Sequence, residues 1–188
     1  MEGVIVAKIE PIGMERLEGT QTFENINRAL MDEAISVVRY LIYADKAEDA
    51  MVEKFFKQTA ENEMEHAKVM LKLLGALGEE TDNLKKSFSI EAFVSKIDYP
   101  SIAEVAREEG FEDIAKKFEL VGQIEKHHEE RYRKLINNIE NKIVFSKDED
   151  AVWICRNCGH IVIGKYAPEV CPVCNHPQSF FELKSENY

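Results

Sequence analysis

The chain is short of several residue types, and its shortage of basic residues and of long apolar runs disfavours particular classes of protein. Its 188 residues include five prolines and one tryptophan, and none of its four cysteines lies before position 155. Lys and Arg number 24 against 35 Asp and Glu, and this acidic balance disfavours nucleic-acid binding, which needs a basic surface. No apolar run approaches the ~20 residues of a membrane helix, and the N-terminus lacks the pattern of a secretory signal. We therefore expect a cytoplasmic protein that binds neither nucleic acid nor membrane.

Residues 20–141 have the pattern of a helical domain. Apolar residues recur there at three- and four-residue spacing, and Pro100 is the only proline. Thr20 or Thr22 suits a helix N-cap, and Gly110 suits the left-handed position that ends a helix. The pattern predicts four helices, with an irregularity near Pro100 in the third, over residues 20–47, 50–77, 86–109 and 111–142.

The composition changes beyond FSKDED (145–150) to Cys, Pro, Gly, His and aromatic residues. Short strands and turns are expected in this part of the chain. We predict a helical domain over residues 1–146 and a small metal domain over residues 147–188. The first nineteen residues carry little signal, and we expect them to form an irregular arm.

Two copies of Glu-x-x-His lie in the second and fourth predicted helices. The first is Glu63 with His66, and the second is Glu125 with His128, 62 residues later. A phenylalanine stands seven residues before each glutamate, and a lysine-leucine pair begins six residues after each histidine. Residues three apart share a face of a helix, so each pair can hold one ligand. This internal repeat indicates a functional site.

Two further glutamates complete the set. Glu33 and Glu63 both lie fifteen residues from the turn expected near residue 48, while Glu125 and Glu91 lie fifteen and nineteen residues from Gly110. At about 1.5 Å per residue, the four carboxylates reach similar heights along the helices. One glutamate from each of two helices, with Glu-x-x-His from each of the other two, is the ligand set of a dinuclear metal site.

The charge of this set also favours metal binding. Four carboxylates and two neutral imidazoles would bring a charge of about −4 into a helical core, which is unfavourable without cations. Two divalent ions cancel that charge, and mixed oxygen and imidazole ligands suit iron or manganese. A single glutamate of this kind is more often a solvated surface residue. The repeated arrangement is what distinguishes the set from surface charge.

The cysteines form two Cys-x-x-Cys pairs separated by twelve residues, a spacing typical of a tetrahedral four-thiolate site. An isolated module with this spacing favours structural zinc, whereas a neighbouring redox site favours a one-electron iron. Trp153 and Tyr166 are expected to cover the site. The predicted ligands are Cys155, Cys158, Cys171 and Cys174.

Together these motifs resemble the rubrerythrin family. The resemblance covers residues 17–183 and rests on GTQT (19–22), ENEMEHAK (61–68), DYPSIAEVAREEGFEDIAKKFE (98–119), IEKHHEERY (124–132) and two rubredoxin-like knuckles, CRNCGH and CPVCNHP. It implies an all-α ferritin-like four-helix bundle with a di-iron site. A rubredoxin-like domain that holds one iron on four thiolates, with zinc as a substitute, would follow.

The resemblance also implies an activity. Family members reduce hydrogen peroxide to water, usually as homodimers, with NAD(P)H-derived electrons relayed by a reductase or a rubredoxin. Tyr40 and Tyr99 match tyrosines near the di-iron centre, and we expect them and the four glutamates to be the catalytic residues. The di-iron ligands implied by position are Glu33, Glu63, His66, Glu91, Glu125 and His128.

Two departures from the family pattern bear on function. Val94 stands where members carry a further glutamate, so we expect His66 to stay on the metal in both oxidation states, and dioxygen to gain as a substrate relative to peroxide. His66 and Glu91 are only 25 residues apart, and about ten extended residues reach roughly 33–36 Å, barely enough for the crossover. This predicts a domain-swapped dimer that exchanges a helix pair.

Two alternative functions stay open: a bacterioferritin-type ferroxidase or dioxygen-reducing oxidase, and a non-catalytic iron-binding electron-transfer protein.

Overall fold

The computed structural model describes residues 14–185, which fall into two compact units divided between Glu79 and Glu80. The first unit is helical, and the second contains helices followed by a small sheet. Within the described range, no helix has both the length and the apolar character that a membrane crossing requires. The predicted order, a helical part followed by a small cysteine-bearing strand region, is confirmed.

The first unit is built on a helical hairpin. Helix α2 (Gln21–Lys46) and helix α3 (Ala50–Leu73) are joined by three residues, and the short helix α1 (Met14–Leu17) precedes them. Alanines on the facing sides of α2 and α3 are buried, which lets the two backbones approach closely. The predicted irregular arm is therefore wrong for residues 14–17, and its residues 1–13 lie outside the described part of the chain.

Side-chain caps set the starts of both long helices. The Thr20 hydroxyl oxygen accepts a hydrogen bond from the Phe23 N–H at 3.1 Å, as predicted for an N-cap. The Asp49 carboxylate accepts from the N–H groups of Met51 and Val52 at 2.7 and 3.2 Å. These bonds satisfy helix-terminal donors and fix the turn between α2 and α3.

Helix α3 ends four residues before the predicted position. Gly75 adopts a φ of +58°, its N–H donates to the Lys72 carbonyl at 3.0 Å, and the Ala76 N–H donates to the Leu71 carbonyl at 2.9 Å. This pattern is a Schellman cap, which ends a helix by left-handed glycine geometry. Leu74 beside it is buried in a cluster that anchors the cap to the first unit.

The second unit begins with one long, irregular helical segment. It consists of helix α4 (Glu80–Phe93), a π-helix (Val94–Asp98) and helix α5 (Tyr99–Glu108). The predicted third helix therefore starts six residues early, at residue 80. The irregularity precedes Pro100, which occupies the first turn of α5 and has no N–H to donate to the carbonyls of the π-helix before it.

Helix α6 (Glu112–Glu140) returns alongside this segment. Gly110, with a φ of +87°, ends α5 as predicted, and the Phe111 N–H donates to the Ala106 carbonyl at 2.8 Å. Gly122 lets α6 approach closely, because a Cβ at this position would lie 3.1 Å from the Tyr99 Cβ.

The C-terminal part of the second unit is a three-stranded antiparallel sheet. Strand β1 (Ser146–Cys155) lies between β2 (Ile161–Tyr166) and β3 (Phe181–Leu183). A single 3-10 turn, Gln178–Phe180, leads into β3. The buried cluster behind the sheet consists of Trp153, Cys155, Ala167, Cys171 and Phe181.

Candidate metal centres

The first unit brings together three of the predicted ligands, which we name half-site A: Glu33 from α2, and Glu63 and His66 from α3. The His66 Nδ1 lies 2.8 Å from a Glu63 carboxylate oxygen and 3.6 Å from a Glu33 carboxylate oxygen. Both glutamates are half-buried, whereas the imidazole is more than half exposed. Their ligand atoms all lie within 4.8 Å of one another.

The second unit repeats this arrangement in half-site B: Glu91 from α4, and Glu125 and His128 from α6. The His128 Nδ1 lies 2.7 Å from a Glu125 oxygen and 3.8 Å from a Glu91 oxygen. These distances match those of half-site A to within a few tenths of an ångström. The internal repeat in the sequence thus corresponds to a repeat in three dimensions.

Helix lengths explain why the glutamates meet in half-site A. Glu33 lies thirteen residues before the end of α2, and Glu63 lies thirteen residues after the start of α3. In half-site B, Glu91 lies seventeen residues before the end of α5, and Glu125 lies thirteen residues after the start of α6. The π-helix takes up part of this difference, because its i→i+5 hydrogen bonds place an extra residue in a turn.

The donor sets suit a metal ion by chemistry and by spacing. Ligands bonded to one metal at about 2.1 Å lie roughly 3.0 Å apart when adjacent and roughly 4.2 Å apart when opposite. The separations of 3.6 and 3.8 Å fall in this range, and those of 2.7 and 2.8 Å lie a few tenths of an ångström below it. Burial raises the pKa of Glu91 above its ordinary value, and a hydrogen bond to Glu125 and the negative charge of Glu125 raise it further. His128 lowers this pKa, but the net shift is upward. The cluster thus disfavours a full set of negative charges in the absence of a cation.

The four cysteine sulfurs have the spacing of a tetrahedral metal site. Cys155 and Cys174 sulfurs are 3.7 Å apart, and Cys158 and Cys171 sulfurs are 3.6 Å apart. Metal–sulfur bonds of about 2.3 Å give tetrahedron edges of roughly 3.8 Å, whereas a disulfide bond measures about 2.05 Å. The residues therefore fit a four-thiolate metal ion.

Two equivalent backbone knuckles create this geometry. In the first, the Gly159 N–H donates to the Cys155 carbonyl at 2.8 Å, and in the second the Asn175 N–H donates to the Cys171 carbonyl at 2.9 Å. Gly159 and Asn175 both have a positive φ, +76° and +59°, which glycine and asparagine adopt at the least cost. Each knuckle therefore closes with the residue type that its left-handed position requires.

The thiol pKa values differ between the knuckles. The His160 N–H lowers the pKa of Cys158, but burial and the hydrogen-bonded thiols around it raise that pKa overall to about 12. The His176 N–H, as the largest influence, lowers the pKa of Cys174. Four neighbouring thiols cannot all ionise together at neutral pH unless a cation offsets their charge.

Of the two aromatic residues expected to cover the thiolate site, only one does so. Trp153 is buried, and its indole N–H donates to the Gly164 carbonyl at 2.9 Å. Tyr166 is 70% exposed on strand β2, so the prediction for it is wrong. Strand β2 lies at an edge of the sheet, where an outward side chain meets solvent.

Of the tyrosines matched by resemblance, Tyr40 lies on α2, which carries Glu33, and Tyr99 is the first residue of α5. Tyr40 packs on Phe56 with ring centroids 6.1 Å apart, and Tyr99 packs on Phe118 at the same distance. In the described part of the chain, neither hydroxyl makes a hydrogen bond to a half-site carboxylate. Their catalytic role stays a prediction.

Three residues near half-site B were not selected from the sequence. Arg131 and Tyr132 line a cavity of about 530 Å³ together with Glu91 and His128. They lie three and four residues after His128, a helical spacing that could have identified them. In the same helix, Glu129 is the one buried charged residue of the described range, and its carboxylate accepts a hydrogen bond from the Lys96 ammonium at 2.7 Å.

Two parts of the chain match known protein families. Residues 24–136 match the Rubrerythrin family, and residues 153–182 match the family described as Rubrerythrin, rubredoxin-like domain. Rubrerythrin-1 of Clostridium acetobutylicum is 40% identical over 93% of this chain and 100% of its own length, and rubrerythrin of Clostridium perfringens is 38% identical over the same shares. A solved structure of partially reduced nigerythrin is 22% identical, with a TM-score of 0.35 over 93% of this chain and 92% of that one. The chain belongs to the rubrerythrin family of oxidoreductases, with its di-iron site and its rubredoxin-like four-cysteine site.

Proposed function

We propose that the protein is a peroxidase that reduces hydrogen peroxide to water in defence against oxidative stress. Each peroxide molecule takes up two electrons and two protons as its O–O bond breaks, and two water molecules form. NADH is the proposed source of the electrons, which a reductase or a rubredoxin passes to the four-thiolate centre. The observation that carries the proposal is the presence of two matching Glu/His half-sites and a four-thiolate site on one chain.

The half-sites supply the ligands for the reaction. Bound iron would supply electrons to the peroxide and polarise it as a Lewis acid. Glu33, Glu63 and His66 would hold iron in half-site A, and Glu91, Glu125 and His128 would hold it in half-site B. The cavity beside Glu91 and His128, with its volume of about 530 Å³, has room for a substrate as small as peroxide.

The exposure of the thiols suggests where electrons enter. Cys158 is exposed and Cys174 is half-buried, whereas Cys155 and Cys171 are fully buried. An electron donor would therefore approach the knuckle edges at Cys158 and Cys174. The cytoplasm is the proposed location, because a reducing compartment keeps four closely spaced thiols from forming disulfides. A homodimer is the proposed working unit.

Anaerobic stopped-flow mixing tests the proposal. Fully reduced, iron-loaded protein is mixed with hydrogen peroxide or with dioxygen at equal concentration, and the thiolate–iron absorption reports oxidation. We expect peroxide to oxidise both centres faster than dioxygen does. A reduced protein that does not react with peroxide would overturn the proposal. A matched Glu63→Ala variant controls for peroxide reacting with the four-thiolate centre directly.

A ferroxidase or dioxygen-reducing oxidase is the second candidate, and Val94 favours it. This valine is half-buried at the start of the π-helix, one turn after Glu91, and it cannot bind a metal. His66 is then expected to bind in both oxidation states. The stopped-flow experiment separates the candidates, because an oxidase would consume dioxygen faster than peroxide. If the dinuclear site is only structural, the Glu63→Ala variant would turn over peroxide or dioxygen at the same rate as the wild-type protein.

A further inference from the structure

The π-helix between α4 and α5 sets the direction of the Glu91 side chain. The Tyr99 N–H donates to the carbonyl of Val94, five residues earlier, so this turn holds one residue more than an α-helical turn would. If the turn became α-helical while α5 stayed in place, the residues before it would move by about 100° around the axis and about 1.5 Å along it. Glu91 lies three residues before Val94. Its carboxylate would then turn away from the other ligands of half-site B.

Helix α5, which follows the π-helix, is fixed against α6. Ala103 and Ala106 of α5 form a buried cluster with Ala115 of α6. Gly122 of α6 also lies so close to α5 that a Cβ at this position would be 3.1 Å from the Tyr99 Cβ. Contacts between small residues at close packing leave little room for α5 to rotate or slide. A change in the π-helix would therefore move α4 rather than α5.

Helix α4 has no comparable packing of its own. None of its residues is buried. Its ion pair to α6, between Lys85 and Glu140, has both side chains about half exposed, and exposed pairs of this kind contribute little to stability. The rotation of α4, and with it the position of Glu91, needs another restraint.

One buried ion pair supplies such a restraint. Lys96 is the third of the five π-helical residues, and its ammonium lies 2.7 Å from a carboxylate oxygen of Glu129 on α6. Glu129 directly follows His128, and its side chain is only 10% exposed. Conversion of the π-helix to an α-helix would turn Lys96 by part of the same angle and leave this carboxylate buried without its cation. Because an unpaired buried charge is unfavourable, the pair stabilises the π-helical form.

We propose that Lys96 and Glu129 are positioning residues for the dinuclear site. Their ion pair holds the π-helix and thereby keeps Glu91 beside the other two ligands of half-site B. Substitution of residues that orient metal ligands from outside the ligand set typically changes metal affinity 10–100-fold. The inference rests on iron binding at half-site B and not on a reaction with peroxide.

Replacement of both residues by methionine tests this role without leaving a buried charge. Replacing a buried ion pair by apolar residues is often neutral or stabilising, so Lys96→Met with Glu129→Met should unfold at the denaturant concentration of the wild type or above it. Full-length, iron-loaded protein is reduced and mixed anaerobically with increasing concentrations of a ferrous chelator. The four-thiolate iron is counted separately from its visible absorption after reoxidation. We expect the double variant to lose half of its remaining iron at a tenth of the wild-type chelator concentration or less.

Lys85→Met is the matched control, because it breaks the exposed ion pair between α4 and α6 outside the π-helix. This variant should retain iron as the wild type does. If the double methionine variant fails to fold, Lys96→Met with Glu129→Gln replaces it. Wild-type iron retention in the double variant would overturn the proposal.

The single variants separate an effect of position from an effect of charge. Lys96→Met makes the surroundings of the site more negative, and Glu129→Gln makes them less negative. Charge alone would therefore strengthen iron retention in the first variant and weaken it in the second. Positioning predicts weaker retention in both, and retention close to that of the wild type in Lys96→Arg, which keeps a cation opposite Glu129.

Stronger iron retention in Lys96→Met than in the wild type would also overturn the proposal. Wild-type protein that retains this iron but does not reduce peroxide would refute the proposed function and leave the comparison of variants intact.

Discussion

Removal of the Lys96 ammonium would leave a charge without a partner inside the second unit. The Glu129 side chain is only 10% exposed, and its carboxylate oxygen lies 2.7 Å from the Lys96 nitrogen. We expect Lys96→Met to lower the free energy of unfolding by about 1–3 kcal/mol, because a buried acceptor would lose its partner while the apolar stem of the side chain remains. For a chain of this size, that loss corresponds to a fall in Tm of roughly 2–12 °C.

Lys85→Met is the matched control, since Lys85 also joins this helical segment to α6 by an ion pair. Its partner, Glu140, is half exposed, so water can replace the lost bond. We expect a change of no more than about 0.5 kcal/mol. Denaturant unfolding of variants with equal metal content gives both values. Equal losses for the two variants would refute the argument that burial of Glu129 sets the energy.

Three further outcomes follow from local geometry. Gly110→Ala should lower the free energy of unfolding by about 1 kcal/mol, because the φ of +87° at this position is unfavourable for alanine. Gly110→Asn should lower it by less, because asparagine adopts the left-handed region more readily. Equal losses of stability in the two variants would contradict this reasoning. Trp153→Phe should cost about 1 kcal/mol by removing the hydrogen bond to the Gly164 carbonyl, as unfolding would show. Because the pKa of Cys158 is raised to about 12, its thiol is protonated at pH 7, and zinc binding to the metal-free protein should release protons into a weakly buffered solution. The affinity for zinc should rise as pH rises. Zinc binding without proton release would refute this prediction.

The candidate ligands were predictable because each depends on local spacing. Glu-x-x-His places two side chains on one helical face, and the second copy, 62 residues later, makes coincidence a poor explanation. The Cys-x-x-Cys knuckles are equally local, since each closes through a left-handed residue next to its second cysteine. Thr20 and Gly110 fixed helix ends by the same kind of short-range chemistry.

Features that depend on contacts between distant residues could not be predicted. The pair of Lys96 and Glu129 joins residues 33 apart, and the π-helix that carries Lys96 has no sequence signature of its own. The early start of α4 was missed because its first turn, Glu80 to Asn83, is polar and shows no apolar periodicity. That error concealed how short the connection between the two units is.

Anomalous diffraction at the iron edge, on crystals of the iron-loaded protein, tests the central claim most directly. The account predicts two iron positions roughly 3.5–4 Å apart, bound by the six half-site side chains, and a third bound by the four cysteine sulfurs. Glutamates and histidines that point into solvent, with no iron pair between them, would contradict it.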